Sequence, residues 1–181
     1  MSRSPFFYIE SFNYKTNSWE KVDIYTKNPA GEFVPLEVWT ANGQHDLFTV
    51  LGCEDSYELP KFADIHEGLP INASQEMYKI FDSHCANTEK DGFNFVPEVK
   101  FFNLADAKLY LNKYPLVKDF DRMEEYWYKH EDMAFEEVPI MEMANPLQVL
   151  IDRVETILEI WDEWWSVYNS YSDIRIIYWV N

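Results

Sequence analysis

The clearest candidate for catalytic chemistry is the tripeptide Glu98-Val99-Lys100, which stands in a predicted β-strand. Residues two apart on a strand point to the same side, so Glu98 could bind Mg²⁺ while Lys100 stabilises charge on a phosphate group. Asp82 or Asp91 would supply a second carboxylate. This spacing suits metal-dependent hydrolysis of a nucleic-acid backbone. The same tripeptide is common by chance, however, and a solvated strand face explains it more simply.

Four further side chains, Cys53, His66, His84 and Cys85, are of the types that bind zinc. Zinc sites usually draw their ligands from closely spaced pairs such as C-x-x-C, and these spacings do not match. His84 and Cys85 are adjacent in a predicted helix and therefore point to different faces. We interpret these residues as packed imidazoles and reduced thiols, and we predict no metal and no cofactor. Whether the two cysteines form a disulfide stays open.

Charge is the remaining chemical signal. The chain has 32 acidic residues against 15 Lys plus Arg, a net charge of −17. Residues 119–163 alone hold 14 acids and 3 bases, a net charge of −11. A surface this negative repels nucleic-acid phosphates, so a basic protein that binds nucleic acid is a more natural partner than DNA or RNA itself. The same charge disfavours the nuclease interpretation.

Two predicted amphipathic helices carry most of these acids on their outer faces. One spans 119–134 with Asp119 as its N-cap, and the other begins at Pro146. Carboxylates repeated about every 5 Å along a helix axis form a regular row of negative charge, as duplex phosphates do. An ordinary solvated surface that favours solubility is the competing interpretation. The residues predicted to contact a partner are Glu124, Glu125, Glu131, Asp132, Glu155, Glu159, Asp162 and Glu163.

The helix that begins at Pro146 is the element around which we expect the fold to form. Asn145 is suited to cap it, because its side chain can accept a first-turn N–H and the following proline has no N–H to leave unpaired. Apolar residues then recur at three- and four-residue spacing as far as Tyr168. The β-branched and aromatic residues of 173–180 predict a closing strand.

The N-terminal region predicts a hairpin from Pro5–Phe12 and Trp19–Thr26, because both runs are aromatic and β-branched and a turn-rich segment joins them. Residues 33–39 predict a third strand of this sheet, confined by Pro35 to an edge or a bulge. We expect the C-terminal strand to pair beside the hairpin. The middle of the chain predicts several helices and one further strand. The helices are expected at 45–51, from 74 onward, at 104–114 and at 119–134, and the strand is expected at 95–102.

The predicted fold class is therefore α+β. An antiparallel sheet from the N-terminal hairpin and the C-terminal strand packs on a long C-terminal amphipathic helix, and the middle is mainly helical. We expect a single domain over 1–181, within which 44–140 could form a helical lobe. Monomer and homodimer both remain open.

The composition is that of a globular protein, with 47% hydrophobic and 18% aromatic residues. No apolar run approaches the roughly 20 residues that a membrane span requires. The segment Met1–Ser11 lacks the basic start and apolar core of a signal peptide. We therefore expect a cytoplasmic protein that does not associate with membranes.

A small, acidic, aromatic-rich chain with an N-terminal hairpin and the terminal strand Arg175-Ile176-Ile177-Tyr178-Trp179 resembles accessory proteins of bacteriophages and prophages. Some proteins of that kind inhibit host defence, including anti-CRISPR proteins that occupy the DNA-binding cleft of an effector nuclease. The resemblance implies a non-enzymatic DNA mimic whose partner is a basic nucleic-acid-binding host protein, such as a CRISPR effector. A metal-dependent nuclease of the E-x-K type and a phage structural or assembly protein are the alternatives.

Overall fold

Strands and helices together form an α+β structure, which confirms the predicted fold class. A computed structural model of the protein describes residues 5–23, 25–27, 29–35, 45–53, 59–90, 98–130, 132–161 and 170–180. In chain order the strands are β1 (Pro5–Asn13), β2 (Ser18–Lys21), β3 (Tyr25–Lys27), β4 (Phe33–Pro35), β5 (His66–Glu67), β6 (Glu98–Asn103), β7 (Leu116–Lys118), β8 (Glu142–Ala144) and β9 (Ile174–Val180). The helices are α1 (His45–Val50), α2 (Gln75–Lys90), α3 (Leu104–Lys113), α4 (Phe120–Tyr128) and α5 (Pro146–Trp161), with 3-10 turns at Phe135–Glu137 and Tyr171–Asp173.

The main sheet joins the two ends of the described chain. Its five strands lie in the order β2-β1-β9-β6-β5, and every neighbouring pair is antiparallel. At the centre, β9 pairs with β1 over the register from Pro5↔Val180 to Ser11↔Ile174. The predicted N-terminal hairpin is confirmed as far as Lys21, whereas Tyr25 and Thr26, which were predicted to continue its second strand, belong to β3 in a separate sheet. The predicted pairing of the C-terminal strand beside the hairpin is confirmed.

The prediction of a third strand from residues 33–39 in this sheet is wrong. Residues 33–35 form β4, which pairs with β3 in a separate two-stranded hairpin, and 36–39 lie outside the described residues. The place beside β9 belongs to β6, which has buried or half-buried side chains on both faces at Val99, Phe101 and Phe102. An interior strand must bury both faces, whereas the missing N–H of Pro35 suits a short peripheral pair.

One face of the sheet packs on α1, α3 and α5. Ile9, Ile176 and Tyr178 face this layer, and all three are fully or almost fully buried. The helix α5 contributes apolar residues at three- and four-residue spacing, which are Leu147, Leu150, Ile151, Val154, Ile157 and Leu158. The apolar residues of this helix share one core with those of the sheet as far as Trp161, and the predicted continuation of the helix to Tyr168 lies outside the described residues. None of the helices that the structure describes has the length and apolar character that crossing a membrane requires.

The opposite face of the sheet packs on α2. Met77 is fully buried against Val99, Ile177 and Trp179, and Ile80 and Phe81 pack against the same cluster. Ser74 Oγ accepts the N–H of Met77 at 3.2 Å, as an N-cap does. The predicted start of this helix is confirmed.

The same face also buries an ion pair between β1 and β9. The side chain of Glu10 is 0% exposed and that of Arg175 is 4% exposed, and Arg175 Nη2 lies 2.6 Å from Glu10 Oε2. Arg175 Nη1 also donates to Asn72 Oδ1 at 2.7 Å, while Glu10 Oε1 accepts the N–H of Ser74 at 2.8 Å. The ring of Trp19 covers the guanidinium, with the ring centroid 3.9 Å from Arg175 Cζ. Burial lowers the pKa of Arg175, and the charge of Glu10 opposes that shift. This network fixes the segment that precedes α2 onto the sheet.

The C-terminal end of α1 is held by two side chains from the sheet. Gly52 has φ of +66°, and the N–H groups of Gly52 and Cys53 bond to the carbonyls of Thr49 and Phe48, which is a Schellman ending. Tyr178 donates its hydroxyl to the Leu51 carbonyl at 2.8 Å, and Lys100 Nζ donates to the Gly52 carbonyl at 2.7 Å. The predicted stop of this helix at Gly52 is confirmed.

Because Tyr178 is buried, we expect the free energy of unfolding to fall at alkaline pH. The pKa of its hydroxyl is raised well above 10 because burial disfavours the phenolate, with Cys53 and Glu98 adding smaller effects. A raised pKa in the folded state contributes stability below the unfolded value of about 10, and this contribution is lost as the pH rises through the raised value. We expect Tyr178→Phe to flatten the alkaline decline, measured by urea denaturation between about pH 8 and pH 11. If the free energy of unfolding of Tyr178→Phe fell with pH as much as that of the unmodified protein, the role of Tyr178 would be contradicted. Tyr128→Phe, at an exposed position, serves as the control.

Asn145 caps α5 and also ties it to the preceding strand pair. Its side chain accepts the N–H of Leu147 at 3.0 Å and donates Nδ2 to the Tyr114 carbonyl at 2.9 Å. Its backbone N–H donates to the Pro115 carbonyl at 3.0 Å, and the residue is fully buried. The predicted N-cap is confirmed, with a second bond that the sequence did not indicate.

We expect Asn145→Ala to lower the free energy of unfolding by about 2–3 kcal/mol, because it removes a helix cap and leaves the Tyr114 carbonyl without its donor. Asn145→Ser keeps an uncharged oxygen that can cap the helix and loses the amide donor to the Tyr114 carbonyl, so its effect should be smaller. Chemical denaturation measures both, and Asn112→Ala, at an exposed position in α3, is the control. A loss no larger than that of the control would show that the cap is unimportant.

Candidate interaction surface

The segment from β7 to β8, residues 116–144, forms a strongly acidic lobe. These 29 residues hold nine acids and three bases, a net charge of −6, within a chain whose total is −17. We call this segment the acidic lobe. It contains the first of the two helices that were predicted to carry outward-facing acids.

Backbone pairing and a helix cap hold the acidic lobe together. β7 and β8 pair from Leu116↔Ala144 to Lys118↔Glu142. Asp119 Oδ1 accepts the N–H of Arg122 at 3.0 Å, which confirms the predicted cap of α4. Three apolar side chains, Val117, Met123 and Val138, are buried beneath. The carboxylates on this lobe are therefore carried by ordered elements.

Seven carboxylates of the acidic lobe are exposed, and these are Asp121, Glu124, Glu125, Asp132, Glu136, Glu137 and Glu142. Glu125 pairs with Lys129 at 2.8 Å, and the hydrogen bond and charge of Lys129 lower the pKa of Glu125. Glu137 accepts the N–H of Ala134 at 3.3 Å. Among the described residues, no basic side chain forms an ion pair with the remaining acids of the group, which are Asp121, Glu124, Asp132, Glu136 and Glu142. Most of the charge is therefore open to an external partner.

The prediction that this helix reaches residue 134 is wrong, because α4 ends at Tyr128. The carbonyls of Tyr126 and Trp127 accept N–H groups only three residues ahead, from Lys129 and His130, so the helical hydrogen-bond pattern is broken. The indole of Trp127 then donates to the Met133 carbonyl at 2.8 Å and folds the chain back.

Two predictions about individual side chains change with this ending. Asp132 lies in a turn rather than in a helical row, although it is exposed as predicted. A helix over 119–134 would place His130 on its inner face with Met123 and Trp127, but His130 is instead exposed and stacks on Tyr126 with ring centroids 4.2 Å apart. The row of charge on α4 is therefore short, and Glu131 lies outside the described residues.

On α5 the predicted acidic residues separate into two groups. Asp152 and Glu159 are exposed, and they share one side of the helix because they are seven residues apart. Glu155 is instead half-buried and ion-paired with Lys108 of α3. Burial would lower the pKa of Lys108, but the hydrogen bond and charge of Glu155 outweigh it and raise the pKa. Glu155 therefore joins two helices. The predicted contacts Asp162 and Glu163 lie outside the described residues.

The acidic lobe precedes α5 directly in the chain. Asn145, which follows the lobe and caps that helix, bonds to the carbonyls of Tyr114 and Pro115 just before β7. Glu159 is 13 residues beyond Pro146, which corresponds to about 20 Å along the helix axis. Glu159 therefore lies near the other end of α5 from this junction.

The candidate catalytic tripeptide has a structural explanation. Lys100 Nζ lies 3.2 Å from Glu98 Oε1 and also donates to the Gly52 carbonyl, and the lysine is 8% exposed. A cation at this position stabilises the C-terminal end of α1. Asp82 is exposed on α2, and Asp91 lies outside the described residues. In the described ranges, no group of three or more His, Cys, Asp or Glu side chains is arranged to hold a metal ion, and no disulfide joins Cys53 to Cys85.

Sequence reasoning did not include several exposed acids in the candidate contact set. Glu136 and Glu137 stand on a 3-10 turn and Glu142 on β8, and all three are exposed. The adjacent Glu136 and Glu137 could have indicated a further acidic site in the sequence. The pairing of β7 with β8 could not be predicted, because both strands are three residues long and are separated by more than twenty residues.

No protein-family model, no curated protein and no solved structure matches this chain.

Proposed function

We propose that this protein is a non-enzymatic inhibitor that binds a basic, nucleic-acid-binding cleft of a host protein, with the acidic lobe as its main contact surface. The observation that carries the proposal is the group of exposed carboxylates on Asp121, Glu124, Asp132, Glu136 and Glu142, which form no ion pair with any basic residue that the structure describes. Glu125 adds a carboxylate that Lys129 partly neutralises. A phage origin, and a CRISPR effector as the partner, belong to the same proposal.

Electrostatics favours a partner that normally holds phosphates. Carboxylates concentrated on one segment attract a lysine- and arginine-rich cleft and repel nucleic acid, so the protein would compete with DNA or RNA for that cleft. The attraction acts between exposed charges and is screened by salt over about 10 Å at 0.1 M.

Preorganisation supports the same proposal. Side chains on flexible loops lose conformational entropy on binding, whereas charges held on an ordered lobe lose less. The cap at Asp119, the β7–β8 pairing and the buried Met123 all order the acidic lobe before a partner arrives.

The contact set differs from the one that the sequence predicted. Glu124, Glu125 and Asp132 stay in it, and Asp121, Glu136 and Glu142 are added. Glu155 is left out because Lys108 already pairs with it. Glu159 is exposed on α5 outside the acidic lobe and stays a predicted contact. Glu131, Asp162 and Glu163 stay predictions.

Capture from a bacterial lysate on the immobilised protein tests the proposal. We expect a nucleic-acid-binding protein to be retained at about 50 mM salt, to be released at about 500 mM, and to be displaced by duplex DNA or structured RNA. The purified partner should bind nucleic acid or this protein, but not both together. Retention that ignores salt and nucleic acid would contradict the proposal.

A further inference from the structure

The acidic lobe carries apolar and aromatic surface beside its carboxylates. Large apolar side chains with exposed fractions between 38% and 70% lie on it, and these are Leu116, Tyr128, Phe135 and Ile140. Such side chains do not improve the solubility of a surface. Protein interfaces, by contrast, combine exposed aromatic side chains with a polar rim. The composition of the acidic lobe is therefore typical of a contact surface.

Three rings of the acidic lobe form one cluster. Trp127 contacts both Tyr128 and Phe135, with ring centroids 5.3 Å and 5.8 Å away, respectively. Trp127 is half-buried and donates its indole N–H to the Met133 carbonyl at 2.8 Å, which fixes its orientation. Tyr128 and Phe135 are exposed. These three residues, which we call the ring cluster, present two aromatic rings to solvent around a fixed indole.

Carboxylates adjoin the ring cluster. Tyr128 donates its hydroxyl to Glu124 Oε1 at 3.3 Å, and Glu136 follows Phe135 in the same 3-10 turn. Both glutamates are exposed, and neither forms an ion pair with a basic residue that the structure describes. A cation that binds at the ring cluster meets aromatic rings and negative charge together.

The protein holds one of its own arginines with the same two kinds of group. The ring of Trp19 covers the guanidinium of Arg175, and Glu10 Oε2 lies 2.6 Å from its Nη2. A guanidinium is planar and less strongly hydrated than the ammonium group of lysine, so it stacks on aromatic rings while it bonds to carboxylates. Arginine is therefore the side chain that gains most from the ring cluster and its carboxylates.

We propose that the ring cluster, together with Glu124 and Glu136, binds an arginine side chain of a partner protein. This inference rests on the proposed function, because it names the side chain by which the acidic lobe recognises its basic partner. Charge attracts lysine and arginine alike, whereas stacking on the rings favours arginine. The ring cluster thus adds selectivity to the long-range attraction of the carboxylates.

Octa-arginine and octa-lysine peptides carry equal charge and test the proposal at about 100 mM salt. Binding is followed by nuclear magnetic resonance of the Trp127 indole N–H, which reports on the acidic lobe rather than on acids elsewhere. The chain has seven tryptophans, and Trp127→Phe identifies this signal by its loss. Both peptides should shift the signal, and octa-arginine should bind more tightly.

Removal of one exposed ring decides whether stacking contributes, because carboxylates alone also favour arginine through paired hydrogen bonds. We expect Tyr128→Leu to weaken octa-arginine binding about fivefold and to leave octa-lysine binding nearly unaltered. Tyr14→Leu removes an exposed ring outside the acidic lobe and should leave both affinities unaltered. The proposal is overturned if Tyr128→Leu weakens neither peptide, or weakens both equally.

Reversal of Asp121, Glu124 and Glu136 to lysine separates this proposal from the proposed function. If that variant loses both peptides while Tyr128→Leu binds both as the unmodified protein does, the arginine site is overturned and an electrostatic contact surface remains. If neither peptide shifts the Trp127 signal of the unmodified protein, the arginine site and the proposed role of the acidic lobe are overturned together.

Discussion

Arg175→Ala is expected to lower the free energy of unfolding by about 3–5 kcal/mol, the usual cost of leaving one member of a buried ion pair alone. The side chain of Glu10 is 0% exposed, so its carboxylate would lose a charged partner without gaining water. Asn72 would lose the donors to its side chain and backbone carbonyl, and Trp19 would lose the guanidinium beneath its ring. Urea denaturation followed by circular dichroism measures the effect.

A second arginine provides a matched control. Arg122 lies 3.8 Å from Asp119 and its side chain is 64% exposed, so Arg122→Ala should change stability by no more than about 1 kcal/mol. Replacing both buried partners, as Glu10→Leu with Arg175→Met, should recover much of the loss because no charge is then left buried alone. Equal effects of Arg175→Ala and Arg122→Ala would show that the buried network does not stabilise the sheet.

The elements that the sequence predicted correctly have strong local signals. Asn145-Pro146 marks the start of α5, and apolar spacing along that helix identifies its buried face. The β-branched and aromatic run of β9 is apolar on both faces, which suits its position at the centre of the sheet. In these segments local propensity and tertiary packing favour the same structure.

The predictions that were wrong depend on contacts between distant residues. The length of α4 is set by the bond from Trp127 to the Met133 carbonyl, which no periodicity reveals. The outward position predicted for Glu155 fails because Lys108, 47 residues earlier, faces it. Lys100 binds the end of a helix that is distant in sequence, a contact that the Glu98-x-Lys100 spacing does not indicate.

Reversing charge on the acidic lobe is expected to abolish binding to the basic partner. The variant Asp121→Lys, Glu124→Lys, Glu136→Lys replaces three exposed acids that lack ion pairs among the described residues. We expect a loss of affinity of about 100-fold or more, which corresponds to about 2.7 kcal/mol, because attraction becomes repulsion at each contact. Stability should change little, since none of the three side chains is buried.

The control variant carries the same change in net charge on another part of the chain. Asp64, Glu67 and Asp82 are exposed and lie outside the acidic lobe, and their reversal to lysine also raises the net charge by six. Unfolding curves of both variants should match that of the unmodified protein. Any difference in binding then reports where the charge lies rather than how much there is.

The Kd of each variant for the captured partner at about 100 mM salt shows whether the acidic lobe is the binding surface. We expect the control variant to bind within a few-fold of the unmodified protein, while the lobe variant no longer binds and no longer displaces nucleic acid. Equal weakening of the two variants, or unchanged binding by the lobe variant, would contradict this expectation and leave the carboxylates as a solvated surface.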